Sequence, residues 1–190
     1  MRDLHKVGLE GMNSCQIQRA FFPTALPFNM MAAALWNENC CYEEAADAYY
    51  AAAYGEEGAL VRDFMKILSE LMLVYNNPAR NVVKAPYCSD YEAVYAAIEN
   101  FKPVIERNAA KADVYQEDWQ LLALHNEYAT LFVKTFELME KGEEEAYKEK
   151  ANEFVDFLRR NELFAQKVLE CQNTARVLLG RWNIPFGNFS

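Results

Sequence analysis

Histidine is almost missing from this chain: His5 and His125 are the two copies in 190 residues. A di-metal four-helix bundle draws Glu-x-x-His pairs from two of its helices, and neither histidine has a glutamate three residues before it, which argues strongly against that chemistry. Glycine and proline are also sparse, with 7 and 6 copies, and the stretches 43–75 and 113–179 hold very few of either. A β protein with many turns is thereby disfavoured and helices are favoured. The five cysteines, Cys15, Cys40, Cys41, Cys88 and Cys171, form an odd set without a C-x-x-C pair, which argues against a disulfide scaffold or a zinc site and for reduced, mostly buried thiols. The longest apolar run, from Met30 to Trp36, is seven residues, against roughly 20 for a membrane-spanning helix. The start, MRDLHKVGLEGMNS, has no apolar stretch of signal-peptide length, so a cytoplasmic location is the default expectation. There is no G-x-S-x-G, H-E-x-x-H, G-x-G-x-x-G or phosphate-binding glycine loop, and hence no motif for the common hydrolytic or nucleotide chemistries.

What is present is an ordinary globular balance, 52% hydrophobic and 25% charged, with a net charge of −9. A surface of that sign repels phosphate backbones and anionic lipid head groups, so neither nucleic acid nor membrane is expected as a partner. Runs such as Glu143-Glu144-Glu145 read as a solvated helix face.

The chain reads as all-α, an antiparallel bundle of about six helices. Residues 1 to about 22 differ from the rest: Val7 to Met12 alternate apolar and small residues before polar Asn13-Ser14-Cys15-Gln16, as at the end of a buried strand. From Pro23 the spacing becomes helical, with Thr24 as a cap, Leu26, Met30, Ala33, Ala34 and Leu35 on one side, and an end near Trp36-Asn37. Glu43 to Tyr54 and Glu57 to Tyr75 form a helical hairpin about Gly55, the second arm carrying Leu60, Phe64, Ile67, Leu68, Leu71 and Val74. Asn76-Asn77-Pro78 opens a loop. Ser89 or Asp90 caps the next helix, which Pro103 should kink or end. Asp113 to Lys141 is a long helix with Leu121, Leu124, Tyr128, Leu131, Phe132 and Met139 as its buried edge and Gly142 as its stop. Beyond Glu143, either two helices meet near Arg159-Arg160-Asn161-Glu162 or one continues to Gly180.

Side chains that could carry chemistry each have a structural reading. His125 beside Leu124 on a helix fits a boundary residue without a catalytic role. Cys40-Cys41 has no base or cation assigned to it by sequence, and fits burial as small apolar groups. The 11 tyrosines and 12 phenylalanines at helical spacing read as core, although aromatic faces also stack on sugars.

Residues 8–64 carry a denser pattern: Gly8, Gly11, Cys15-Gln16, Arg19 through Thr24, Leu26-Pro27, Leu35-Trp36 and Tyr50-Ala53-Tyr54-Gly55. This segment resembles a stretch in a family of bacterial proteins with a glycoside-hydrolase-like domain of unknown function. The resemblance implies that residues 1–37 are the last strand, loop and helix of a TIM-type barrel and 38–190 an appended helical domain. Active sites of such barrels lie at the C-terminal ends of the strands, which would bring Asn13, Ser14, Cys15, Gln16 and Arg19 near a sugar. The earlier strands that would supply an acid and base are not in this chain, so it is expected to act as a non-catalytic module, structural, partner-contacting or shaping a carbohydrate cleft. No metal, cofactor or catalytic residue is assigned. Two alternatives stand beside this: a stand-alone helical interaction domain, and a piece of an active carbohydrate enzyme. A carbohydrate, a missing barrel domain and a second copy of the chain are the partners this reading admits, with Tyr87, Trp119 and Trp182 as candidate sugar-stacking rings.

Overall fold

The computed structural model describes residues 5–8, 19, 21–73 and 86–185. Among these, the fold is all-α, with seven α-helices: α1 (Leu26–Trp36), α2 (Tyr42–Tyr54), α3 (Gly58–Leu71), α4 (Tyr91–Ala109), α5 (Gln116–Glu140), α6 (Glu144–Ala165) and α7 (Cys171–Arg181). Each packs antiparallel against its successor, and α5 also touches α2. No strand occurs among the described residues. Val7, read above as the start of a strand, instead closes a 3-10 turn, His5–Val7, ahead of Gly8 at φ 81°. Residues 9–18 of the expected extended segment lie outside the described set.

The α2–α3 hairpin depends on two glycines. Gly55 has φ 67°, and a Cβ there would stand 2.9 Å from the Tyr115 ring. At Gly58 a Cβ would meet the Tyr50 carbonyl oxygen at 2.4 Å, a distance no side chain tolerates, so only glycine lets the start of α3 lie against the backbone of α2. Along α3 the buried residues are Val61, Phe64 and Leu68. Leu60 and Ile67, expected on that stripe, are about half exposed, because the packed face is centred one residue further on.

Asp90 caps α4 by accepting the Ala93 N–H at 2.9 Å, which satisfies one of the donors left open at a helix start. Pro103 lies inside α4 and does not end it. Pro103 and Glu99, whose carbonyl loses its donor, are both exposed, so solvent can take the orphaned acceptor. Helix α5 is the centre of the molecule. It is 25 residues long, and Trp119, Leu122, Ala129, Phe132, Val133 and Phe136 bury more than the single edge expected, since α4 flanks one side and α6 the other.

The C-terminal stretch is two helices, and the break falls at 166–170, past the Arg159 to Glu162 run. That polar run stays helical, with the Asn161 amide donating to the Phe157 carbonyl at 2.9 Å. Trp182, just beyond α7, is fully buried against Phe136 and Phe154, with ring centroids 5.7 and 5.5 Å away. Residues 21–25 form a strap across one end of the bundle. The N–H groups of Phe21 and Phe22 both donate to the Val168 carbonyl in the α6–α7 turn, and the Ala25 N–H donates to the Tyr49 hydroxyl on α2 at 2.9 Å. Phe22, Leu26 and Met30 join the same hydrophobic core as the other helices.

Candidate functional site

Of the residues expected near a sugar, Asn13, Ser14, Cys15 and Gln16 lie outside the described residues. Arg19 is described, at φ 60°. Its guanidinium lies 3.7 Å from Glu162 and 3.6 Å from Glu170, so it ties the strap to the α6–α7 turn. The three aromatic candidates are corrected by their burial. Tyr87, Trp119 and Trp182 are 7%, 2% and 0% exposed, packed respectively on Phe136, on Tyr54 and among Phe132, Phe136 and Phe154. None presents a ring face to a ligand, because each occupies the inward position that helical spacing gives a large apolar side chain.

Two polar centres are buried on α5, and they differ in kind. Glu137 accepts hydrogen bonds from the Tyr95 hydroxyl at 2.7 Å, from Lys134 Nζ at 2.8 Å and from Lys141 Nζ at 2.5 Å. Burial alone would raise its pKa, but these bonds outweigh it and hold the carboxyl at about 2. Nearby, Glu140 accepts from the Tyr91 hydroxyl at 2.7 Å. Burial and then the bonded carboxylate push both tyrosines up. Cys88 is pushed up to about 12 by burial and by the charges of Glu140 and Glu137. Neither Glu137 nor Cys88 exchanges its proton near neutrality. It is a clamp between α4 and α5, with its carboxylate fixed and its thiol inert.

The second centre is His125, 2% exposed, with Phe22 edge-on at 5.7 Å and Tyr128 at 6.5 Å between centroids. Among the described residues its Nδ1 has no hydrogen-bond partner, and neither does either amide atom of Asn126. Burial lowers His125 to about 4. Cys171 is pushed up to about 12 by burial and by Glu162, so this thiol too is no nucleophile at neutral pH. Among the described residues, no three His, Cys, Asp or Glu side chains gather as a metal site.

The feature that departs most from a self-contained bundle is α1. Its sequence, LPFNMMAAALW, contains no charged residue. The side facing α2 carries Leu26, Met30 and Ala33, while Phe28, Met31, Ala32, Leu35 and Trp36, at i, i+3, i+4, i+7 and i+8, lie on the opposite side. On that outer side Leu35 is 48% and Trp36 94% exposed. Phe21, 42% exposed, meets Phe28 edge-on at 5.3 Å and extends the stripe onto the strap. An amphipathic surface helix has one apolar face; a helix apolar all round is normally covered on every side. Among the described residues, α2 is the one helix that packs on α1. The signal is present in the sequence as the uncharged run Met30 to Trp36, but Leu35, expected on the packed side, is turned outward, because the side facing α2 is centred on Leu26, Met30 and Ala33.

Compared with protein-family models, with characterised proteins and with solved structures, the chain matches none. No helix among the described residues is long and apolar enough to cross a membrane.

Proposed function

We propose that this chain is a non-catalytic helical module of a glycoside-hydrolase-like protein, and that it works by contact with a neighbouring domain through α1. The observation that carries this is the outward stripe of α1, apolar, uncharged and exposed up to Trp36. Contiguous apolar surface of this kind marks interaction sites on soluble proteins. The resemblance of residues 8–64 supplies the expected partner, a TIM-type barrel whose last helix α1 would be. Two facts support a contact role over chemistry: the buried carboxylate Glu137 is saturated with donors, and the buried thiols Cys88 and Cys171 are held protonated.

The test compares this chain with a longer polypeptide that carries a barrel ahead of residue 1. Hydrogen exchange of residues 26–36 should be slower in the longer protein, and a panel of chromogenic glycosides should show no turnover by this chain alone. Equal exchange of α1 in both proteins would remove the barrel as its partner. The reading as a stand-alone helical interaction domain rests on the same stripe, and it would then be favoured by light scattering or pull-downs that respond to Leu35→Glu and Trp36→Glu.

A further inference from the structure

The strap at 21–25 is attached to the bundle by few bonds. Phe21 and Phe22 N–H donate to the Val168 carbonyl at 2.9 and 3.1 Å, Ala25 N–H and Thr24 Oγ1 donate to the Tyr49 hydroxyl at 2.9 and 3.2 Å, and Arg19 adds two long ion pairs. Its inward side chain is Phe22, whose ring lies 5.7 Å from that of His125 and 5.4 Å from that of Tyr128. Among the described residues, Phe22 is therefore the part of the cover over His125 that does not belong to a helix. Beneath it the imidazole is buried, and among the described residues its Nδ1 has no hydrogen-bond partner. A neutral ring is tolerated there, whereas an imidazolium would be a buried cation without a counter-charge.

We propose that His125 is an acid-sensitive latch: uptake of a proton drives the 21–25 strap off the end of α5, so that the charged imidazole reaches water. The titratable and charged groups around it offer no compensation in place. Tyr128 on α5 and Cys171 on α7 are kept protonated by burial. Glu162 on α6 faces Arg19 through Oε1, its Oε2 being buried without a partner among the described residues, and Glu170 before α7 faces Arg19 as well. Tyr49 on α2 is occupied by the strap, and Arg181 at the end of α7 is itself a cation. Burial is the sole cause of the shift at His125, with no charge of either sign contributing. Lifting the strap breaks the bonds just named, whereas parting α5 from α6 would expose the aromatic core around Phe154 and Phe157. The strap is thus the first element to yield. The latch does not depend on the role proposed for α1.

The experiment is amide hydrogen exchange by NMR on the whole chain between pH 6.5 and 5, corrected for the intrinsic pH dependence of exchange. Each pH unit below the free imidazole value, about 6.5, favours the open strap tenfold as long as His125 stays neutral in the closed form. Protection of Phe21 and Phe22 is expected to fall by close to tenfold per unit, while Ala129 and Val133 on α5 keep theirs. His125→Phe, which retains a ring and cannot take a proton, should flatten the strap profile; His125→Leu serves as a second variant if the phenyl ring does not pack. Arg19→Gln should weaken protection and leave the slope unchanged. A strap protection independent of pH in the native chain would overturn the latch. So would an unchanged slope in the folded His125 variants, or simultaneous loss of strap and α5 protection.

Discussion

Glu137 and His125 are buried on the same helix, and the protein treats them in opposite ways. Glu137 is 5% exposed and keeps its charge because three donors reach its carboxylate from α4, from α5 itself and from Lys141 just beyond. His125 is 2% exposed and is kept neutral by burial, its Nδ1 having no hydrogen-bond partner among the described residues. The lesson is that burial does not set the state of a titratable group until its partners are counted. The α4–α5 side of the central helix is fixed by a satisfied charge, and the strap side is closed over a group that tolerates no charge.

The largest effect that separates the two sides is acid. His125 has its folded pKa lowered to about 4, so the unfolded or opened state binds the extra proton between there and about pH 6.5, and stability falls as pH falls through that window. The loss reaches up to about 3 kcal/mol by pH 4, at 1.36 kcal/mol per unit, and urea titrations at stepped pH would measure it. Glu137, lowered to about 2, adds stability that is fully present above the ordinary carboxylate range and is lost only as pH falls on toward 2. Native His125→Phe protein should show this second step alone; finding the first step undiminished in that variant would break the comparison.

Next in size, Glu137→Ala at neutral pH should cost about 2–3 kcal/mol, because the Tyr95 hydroxyl loses its acceptor and two lysines lose their buried counter-charge. Glu137→Gln should cost less, since it keeps one acceptor oxygen. The contrast sharpens at Asn126, whose amide atoms have no partner: Asn126→Leu should be neutral or stabilising by up to ~1 kcal/mol, read as a thermal midpoint. Smallest of all, Leu35→Glu with Trp36→Glu should change stability by no more than ~0.5 kcal/mol per site, because both side chains already face water. The same pair should reduce binding of a hydrophobic dye, which ties α1 to contact and separates it from folding.

Local chemistry made much of the fold legible. The helix from Leu26 to Trp36, the cap at Asp90 and the glycine stops at Gly55 and Gly142 were readable because each depends on residues within a turn of one another. Readings failed where the deciding partner was distant in sequence. Pro103 was tolerated because its face of α4 is solvated, and the break before α7 fell at 166–170, where the Val168 carbonyl turns to the strap. Of the candidate site, Arg19 pairs with Glu162 and Glu170, and the aromatic candidates are buried in the core.

The sequence by itself determined that this chain is helical, acidic and without a recognisable catalytic motif, because periodicity, charge and motif are properties of neighbouring residues. Tertiary structure alone decided which faces were covered. Among the described residues it turned Tyr87, Trp119 and Trp182 inward, gave Glu137 its three donors, left His125 Nδ1 without a partner, and set Trp36 outward on a helix that packs on α2. Burial and hydrogen-bond satisfaction depend on what the rest of the chain brings to a side chain, and no local pattern encodes that.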